Sequence, residues 1–573
     1  MAYKSLQQCI SKLNKRGEIL KVTKKIDPNL EMASVHLDEF AKAGKAILFE
    51  NIKGSKFRAT SNLFGTLERS KFMFRDTIEK VKQLIDLKTD PSLALKNPAQ
   101  AIYAALHAIY AIPLKVRFPR SFHEIQIEDI PQVKCWKEDG GAFITLPQVY
   151  SEDIENPGIM NSNLGMYRVQ LSGNDYIKNK EIGMHYQIHR GIGVHQKNAN
   201  KKGEPLKVSI FVGGPPAHTF AAVMPLPEGM SEIAFAGILG GRNFRYAKKD
   251  GFTISVDADF VICGELHPND VKPEGPFGDH LGYYSLTHDF PVLKVKKVYA
   301  KENAIWPFTV VGRPPQEDSQ FGALIHAITG KAIEKEIPGL KAVNAVDDSG
   351  VHPLLLAVGS ERYTPYNPNK KPQELLTIAN HILGTGQMSL AKYLFICDEE
   401  NAPDVNDEKE FFTHLFERVN WKRDLHFQTK TTIDTLDYSG DGLNEGSKLV
   451  VAATGDIKRT LSSELNINMP LGFQNPRYVS NGNIVIEGKG NITHLIKSLE
   501  SQKLEGIALI TLVDDSIFAS KDFSNWLWVT FTRSNPASDI YGLDAENKNK
   551  HFSCSIPIID ARIKPHHAPV LER

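Results

Sequence analysis

Arg168, Glu274 and Asp279 are the residues from which a reaction can most readily be built. An arginine presents a rigid planar fork that grips a carboxylate or phosphate through parallel hydrogen bonds, which the point charge of a lysine cannot do. Glu274 and Asp279 sit in PEGPFGDHLGYY (273–284) at an odd spacing, which places them on opposite faces of a strand and poorly aligned on a helix. Only a turn lets them converge. Gly275, Pro276 and Gly278 supply one, because glycine accepts positive φ and proline pre-sets a position. Two carboxylates meeting in a partly apolar loop repel, so one pKa is driven up and that group becomes a neutral acid near pH 7, which makes a proton donor.

A second set lies in NSNLGMYRVQLSGNDYIKNKEIGMHYQIHRGIGVH (161–195) and MPLPEGMSE (224–232). Asn163, His185 and Glu232 offer an O/N/O donor set. It suits Mg²⁺ or Mn²⁺ with positions left for phosphate and water, and it lacks the thiolates that softer metals prefer. Each residue also has a plainer role. Arginines commonly end in surface salt bridges, and His185, His189 and His195 would each more often be structural histidines. Acidic residues in a Gly/Pro loop are usually just solvated.

These side chains need a scaffold. Leu6, Cys9, Ile10 and Leu13 stack on one face of a helix expected over 3–16. From 205 to 315 the period changes to two, with Val208, Ile210 and Val212, then Ile254, Val256, Ala258, Phe260 and Ile262, facing one side. Strands broken by clusters such as Gly213-Gly214-Pro215-Pro216 indicate a β-barrel or a bent sheet. Residues 321–336 read as a helix that stops before Pro338. Beyond it, KYLFICDEE (392–400) reads as a buried strand. Flanking helices carry Leu375, Ile378, Ala379 and Ile382, and Phe412, Leu415, Phe416 and Val419. That is βαβ grammar, a parallel sheet covered by helices. LVVAAT, NIVIEG, IALITLV and WLWVTFT are read as further strands in 440–540.

The bulk numbers narrow the options. A chain of 573 residues exceeds what one core supports, so two or three domains are expected. Lys+Arg at 68 against Asp+Glu at 67 leaves +1, no field for steering nucleic acid or an anionic membrane. No run is long and apolar enough for a membrane span. Cys9, Cys135, Cys263, Cys397 and Cys554 are widely spaced and form no CxxC pattern, which argues against a disulfide framework or zinc ribbon. MAYKSLQQCISKLNKRG has no apolar core of a signal peptide, so a cytoplasmic location with reduced thiols is the expectation.

NLGMYR (163–168), GMHYQIHRG (183–191), MPLPEGMSE, PEGPFGDHLGYY, GRPPQED (312–318), the strand opening at Lys392 and IDAR (559–562) together resemble the UbiD family of prenylated-flavin-dependent decarboxylases, in order and spacing. The resemblance covers roughly residues 1–430 and implies an α+β protein. Its parts would be an N-terminal α/β region (1–115), a split β-barrel prenylated-FMN-binding domain (116–320), a linker helix (321–338) and a C-terminal α/β oligomerisation domain (339–573) with an extension around 440–540. It also implies reversible, non-oxidative decarboxylation of an aromatic or α,β-unsaturated acid through a prenylated-flavin adduct. A hydroxybenzoate or naphthoate of quinone biosynthesis is the expected substrate class, with ring carboxylation or a non-catalytic flavin-binding role as alternatives.

Residue by residue, the resemblance assigns Mn²⁺ (or Mg²⁺) to Asn163, His185 and Glu232, with His189 an alternative to His185, and places K⁺ nearby. Prenylated FMN falls to Asn163, Met166, Tyr167, Arg168, His185, Tyr186, Gln187, Arg190, Gly191 and Lys392. Arg168, Glu274 and Asp279 become the catalytic triad, with Asp279 the proton donor, and His280 a pocket residue by adjacency. A separate flavin prenyltransferase would supply the cofactor, and the chain would form a dimer or hexamer.

Overall fold

Ser5 accepts a hydrogen bond from the Gln8 amide and so opens the helix Leu6–Lys15, whose buried residues are the expected Leu6, Cys9, Ile10 and Leu13. The computed structural model describes residues 3–90, 92–186, 191–226, 230–329, 336–364, 366 and 370–572. The chain is a mixed α/β protein that divides into two compact units. One holds Met1–Asp279, Tyr283–Gly330 and Val570–Arg573, and the other holds His280–Gly282 and Lys331–Pro569.

The first unit contains a four-stranded sheet in the order Ile19–Val22, Ala46–Phe49, Arg58–Ser61, Ile305–Pro307. The last strand comes from far along the chain, so regions 1–115 and 116–320 share this unit. Beside it lies a nine-stranded sheet. Its path runs Phe143–Ile144, Val169–Gln170, Glu181–Met184, His288–Lys301, Phe260–Glu274, Leu206–Val212, Pro147–Glu152, Ser162–Gly165, with Phe122–Glu124 pairing against His288–Lys301. Every pairing in it is antiparallel, and its two end strands do not pair with each other. The sheet is therefore open, with no closed barrel among the described residues. Its register places the site: Glu274 ends the long strand opposite His288, beyond a bulge between Leu266 and Val271.

The period-two run 254–262 is not one strand. Phe252–Ser255 and Phe260–Glu274 are separate, although Val256, Ala258, Phe260 and Ile262 are all buried. Burial of a turn on both sides mimics alternation. Tyr283 makes an isolated bridge with Val570, so the last described residues belong to the first unit.

In the second unit, Leu354–Gly359, Tyr393–Asp398 and Gly446–Ala453 are parallel neighbours, flanked by antiparallel Leu340–Ala345 and Leu425–Thr431. Helices Glu374–Leu383 and Glu408–Arg418 form where the spacing places them. A second five-stranded sheet follows, in the order Phe473–Ser480, Asn483–Gly488, Leu509–Val513, Ile556–Asp560, Ile540–Leu543. The expectation of a strand at WLWVTFT is corrected here, because the segment lies in the helix Phe523–Thr532. Asp522 caps it by accepting from the Asn525 amide, and every residue from Asn525 to Thr532 is buried. A short helix that is apolar all round has no period to distinguish it from a buried strand. The linker region begins as the helix Ser319–Thr329, and 330–335 lie outside the described residues. No helix among the described residues is long and apolar enough to cross a membrane.

Candidate functional site

The turn required by Glu274 and Asp279 forms. Gly275 takes φ 92°, and its amide donates to Gln170 Oε1 at 2.9 Å. Asn174 Nδ2 donates to the carbonyls of Pro273 and Gly275 at 2.9 Å each. The Gly278 amide donates to the buried Asp139 at 2.8 Å, and Phe277–Gly278 pairs with Tyr284–Ser285 to make a hairpin that ends at Asp279. A Cβ at Gly140 would stand 2.2 Å from the Gly275 carbonyl oxygen, so a second glycine is needed for the loop to pack.

Arg168, just before the strand Val169–Gln170, receives both carboxylates. Its Nε and one terminal nitrogen donate to the two oxygens of Glu274 at 2.9 Å each, and the other terminal nitrogen pairs with Asp279. The first of these terminal nitrogens also donates to Ser285 Oγ at 2.9 Å. Beneath the guanidinium lies the Phe277 ring, its centroid 4.8 Å away. All three groups are buried, Glu274 completely. Burial alone would raise the Glu274 pKa. Arg168 and a 3.0 Å hydrogen bond with His185 Nδ1 overcome it and hold the carboxyl at about 2. Direct repulsion between the carboxylates, the sequence expectation, is thus replaced by a shared guanidinium. His185 is itself pushed toward its neutral form, first by burial and then by Arg168.

Glu232 reaches the backbone next to Asn163. Glu232 follows the cap Ser231 of the helix Glu232–Gly240, and its carboxylate accepts from the Leu164 amide at 3.4 Å. Burial raises its pKa, and no cation pairs with it among the described residues. Asn163 accepts from the Tyr167 hydroxyl at 3.3 Å, and its Nδ2 is buried without a partner among them. A Cβ at Gly191 would come within 2.3 Å of Asn163 Oδ1, so any side chain there would fill this cradle. A half-buried carboxylate with no cation on it among the described residues, near an orphaned amide, is a donor set that fits a divalent cation and a phosphate. His185 spends Nδ1 on Glu274, which leaves Nε2 for a ligand.

Of the other expected cofactor residues, Met166 binds the Ala222 carbonyl through its amide, and the Tyr167 ring lies tilted at 6.0 Å from that of Tyr186, whose hydroxyl donates to Gln196. Gln187 and Arg190, together with the alternative ligand His189, lie outside the described residues. Lys392 belongs to the second unit and is fully buried there, with Asp437, Ser439 and the Ser534 carbonyl around its ammonium at 2.8, 2.6 and 2.8 Å. His280, also in that unit, stands with His352 and Asp434, all offering ligand-type atoms within 4.8 Å of one another. His352 pairs directly with Asp434, which holds that buried carboxylate ionised. No local spacing links these three residues, so sequence reasoning singles out only His280.

Residues 10–88, 113–314 and 319–453 match the N-terminal, Rift-related and C-terminal domain profiles of 3-octaprenyl-4-hydroxybenzoate carboxy-lyase, UbiD. The chain is 35% identical over 582 residues to a 4-hydroxybenzoate decarboxylase polypeptide of Chlamydia pneumoniae, covering 99% of this chain and 95% of that one. Among solved structures, the closed form of Sedimentibacter hydroxybenzoicus vanillic acid decarboxylase superposes with a TM-score of 0.67 at 21% identity, over 82% of this chain and 96% of that one. An evolved dimeric form of the UbiD-class enzyme HmfF from Pelotomaculum thermopropionicum in complex with prFMN gives 0.59 at 18% identity, over 81% and 97%.

Proposed function

The chain belongs to the UbiD family of carboxy-lyases, and from that premise we propose that it removes carbon dioxide from a hydroxybenzoate or naphthoate on the way to a quinone, using prenylated FMN. The observation that carries the reading is the buried Arg168 clamped between Glu274 and Asp279. An aromatic acid is favoured because the relatives named above act on 4-hydroxybenzoate and vanillic acid.

Loss of carbon dioxide from an sp² carbon leaves an electron pair for which no side chain is an adequate sink, and the bound prenylated flavin supplies that sink. Asn163, His185 and Glu232 would hold Mn²⁺ or Mg²⁺, with K⁺ alongside. Asn163, Met166, Tyr167, Arg168, His185, Tyr186, Gln187, Arg190 and Gly191 would hold the flavin. Glu274 fixes one edge of the Arg168 fork, so the nitrogen that faces Asp279 is the one with which a substrate carboxylate competes. Displaced from the guanidinium, Asp279 takes up a proton. When the C–C bond to the carboxylate breaks, it delivers that proton to the substrate carbon and returns to Arg168 as a carboxylate. The reverse sequence carboxylates a ring, and the carbon dioxide concentration sets the direction.

The deciding experiment is co-expression with a flavin prenyltransferase, followed by assay of the purified protein against hydroxybenzoates, naphthoates and phenylacrylic acids. A shifted visible spectrum together with carbon dioxide release from the aromatic acids is expected. Protein that carries the cofactor and releases carbon dioxide from none of them overturns the reading.

Glu232→Ala is expected to lose metal and flavin together, since it removes the half-buried carboxylate that reaches the backbone next to Asn163. Metal analysis and the flavin spectrum of the purified variant check this, and normal stoichiometry of both would contradict the ligand assignment. His280→Ala is expected to alter preference across the acid panel with cofactor content unchanged. Unaltered preference would take His280 out of the pocket.

A further inference from the structure

The helix Pro98–His107 and the turn Ala108–Ala111 that follows it are built inside out. Their inner side is anchored: Ala104 is fully buried, His107 Nε2 meets the Ile238 carbonyl at 2.8 Å, and Asn243 donates to the carbonyls of Ile109 and Ile112 at 3.0 and 2.9 Å. The outer side is apolar. Ile102, Leu106 and Ile109 recur at 0, 4 and 7, one helical stripe, and are 63%, 67% and 61% exposed, with Leu95 at 86% and Ile112 at 59% on either side. Of twenty-one large apolar side chains exposed among the described residues, seven fall within 95–114. A cluster of that kind marks a surface that is covered in use.

Charge identifies the cover. The chain as a whole is nearly neutral, yet residues 91–123 contain no aspartate or glutamate and carry Lys96, Lys115, Arg117 and Arg120. These four are exposed. An exposed apolar stripe in a segment whose only charged residues are lysine and arginine, with Tyr103 beside it, has the composition of a helix that lies in the headgroup layer of an anionic membrane. A second copy of the chain fits less well. Two such faces brought together would oppose Lys96, Lys115, Arg117 and Arg120 to their own copies, while the acids of the adjacent helix Ile78–Thr89 and its cap, Glu79, Asp86 and Asp90, are matched by its own Lys80, Lys82 and Lys88.

We propose that residues 95–120 form a membrane-docking face that seats the chain on anionic lipid without crossing it. The test is co-sedimentation of the full-length protein with vesicles of phosphatidylcholine alone or mixed with phosphatidylglycerol. The protein is expected to pellet with the mixed vesicles at low salt. Leu106→Glu/Ile109→Glu should lower that partitioning more than about tenfold, the worth of an immersed leucine or isoleucine. Lys115→Glu/Arg117→Glu should lower it on the mixed vesicles alone, by about fivefold for each charge removed. Both variants alter exposed side chains, so thermal unfolding should match wild type. Wild-type protein that stays in the supernatant with mixed vesicles overturns the proposal. So does a Leu106→Glu/Ile109→Glu variant that still pellets but falls in native mass by light scattering, which would assign the face to contact between copies.

Discussion

Asp279→Asn is expected to slow decarboxylation by about 10²–10⁴ while flavin and metal remain bound. The amide keeps the size of the side chain and an oxygen for Arg168, so the hairpin at Phe277–Gly278 persists and only the acidic proton is lost. Single-turnover carbon dioxide release, read beside the flavin spectrum, separates this from cofactor loss. Isotope exchange at the substrate carbon in deuterated water should fall with it, because the same group moves the proton in both directions. Activity within a few-fold of wild type would remove Asp279 from the proton path and leave Glu274 as the nearest acid, although Arg168 and His185 hold that group ionised.

The largest effect on stability is expected at Arg168→Leu. Removing one partner of a buried pair costs about 3–5 kcal/mol, because the remaining charge stays desolvated. Here two carboxylates lose their cation at once. The sign with pH follows from Glu274. Its folded pKa is lowered from 4.5 to about 2, so its contribution is complete above the unfolded value and is lost as pH falls through that window. Leucine removes this contribution. The gap in denaturation midpoint between wild type and variant should therefore be widest near neutrality and should narrow as the solution is acidified. A gap independent of pH would show that the ion pair is not its origin.

What can be read from the residues, and what cannot, divides along physical lines. The turn at Gly275, Pro276 and Gly278 is legible because backbone conformation limits which residues can form it, and the structure adds the partners Gln170, Asn174 and Asp139 that hold it. The βαβ region at Lys392 is legible because its helices keep one polar face, whereas Phe523–Thr532 is enclosed on every side and hides its period. Glu274 reads in the sequence as half of a repelling pair, since sequence does not reveal that a guanidinium stands between the carboxylates. His352 and Asp434 give no signal at all. Their proximity to His280 is a product of tertiary folding, and nothing in the neighbours of either residue announces it.

The bridge between Tyr283 and Val570 bears on how the protein is made. The Tyr283 carbonyl accepts from the Asp279 amide, so the loop that presents the acid leans on a residue translated long after it. Domains generally mature in the order in which they leave the ribosome, but this one has to wait. The ribosome must read through both five-stranded sheets of the second unit before Tyr283 gains its partner Val570.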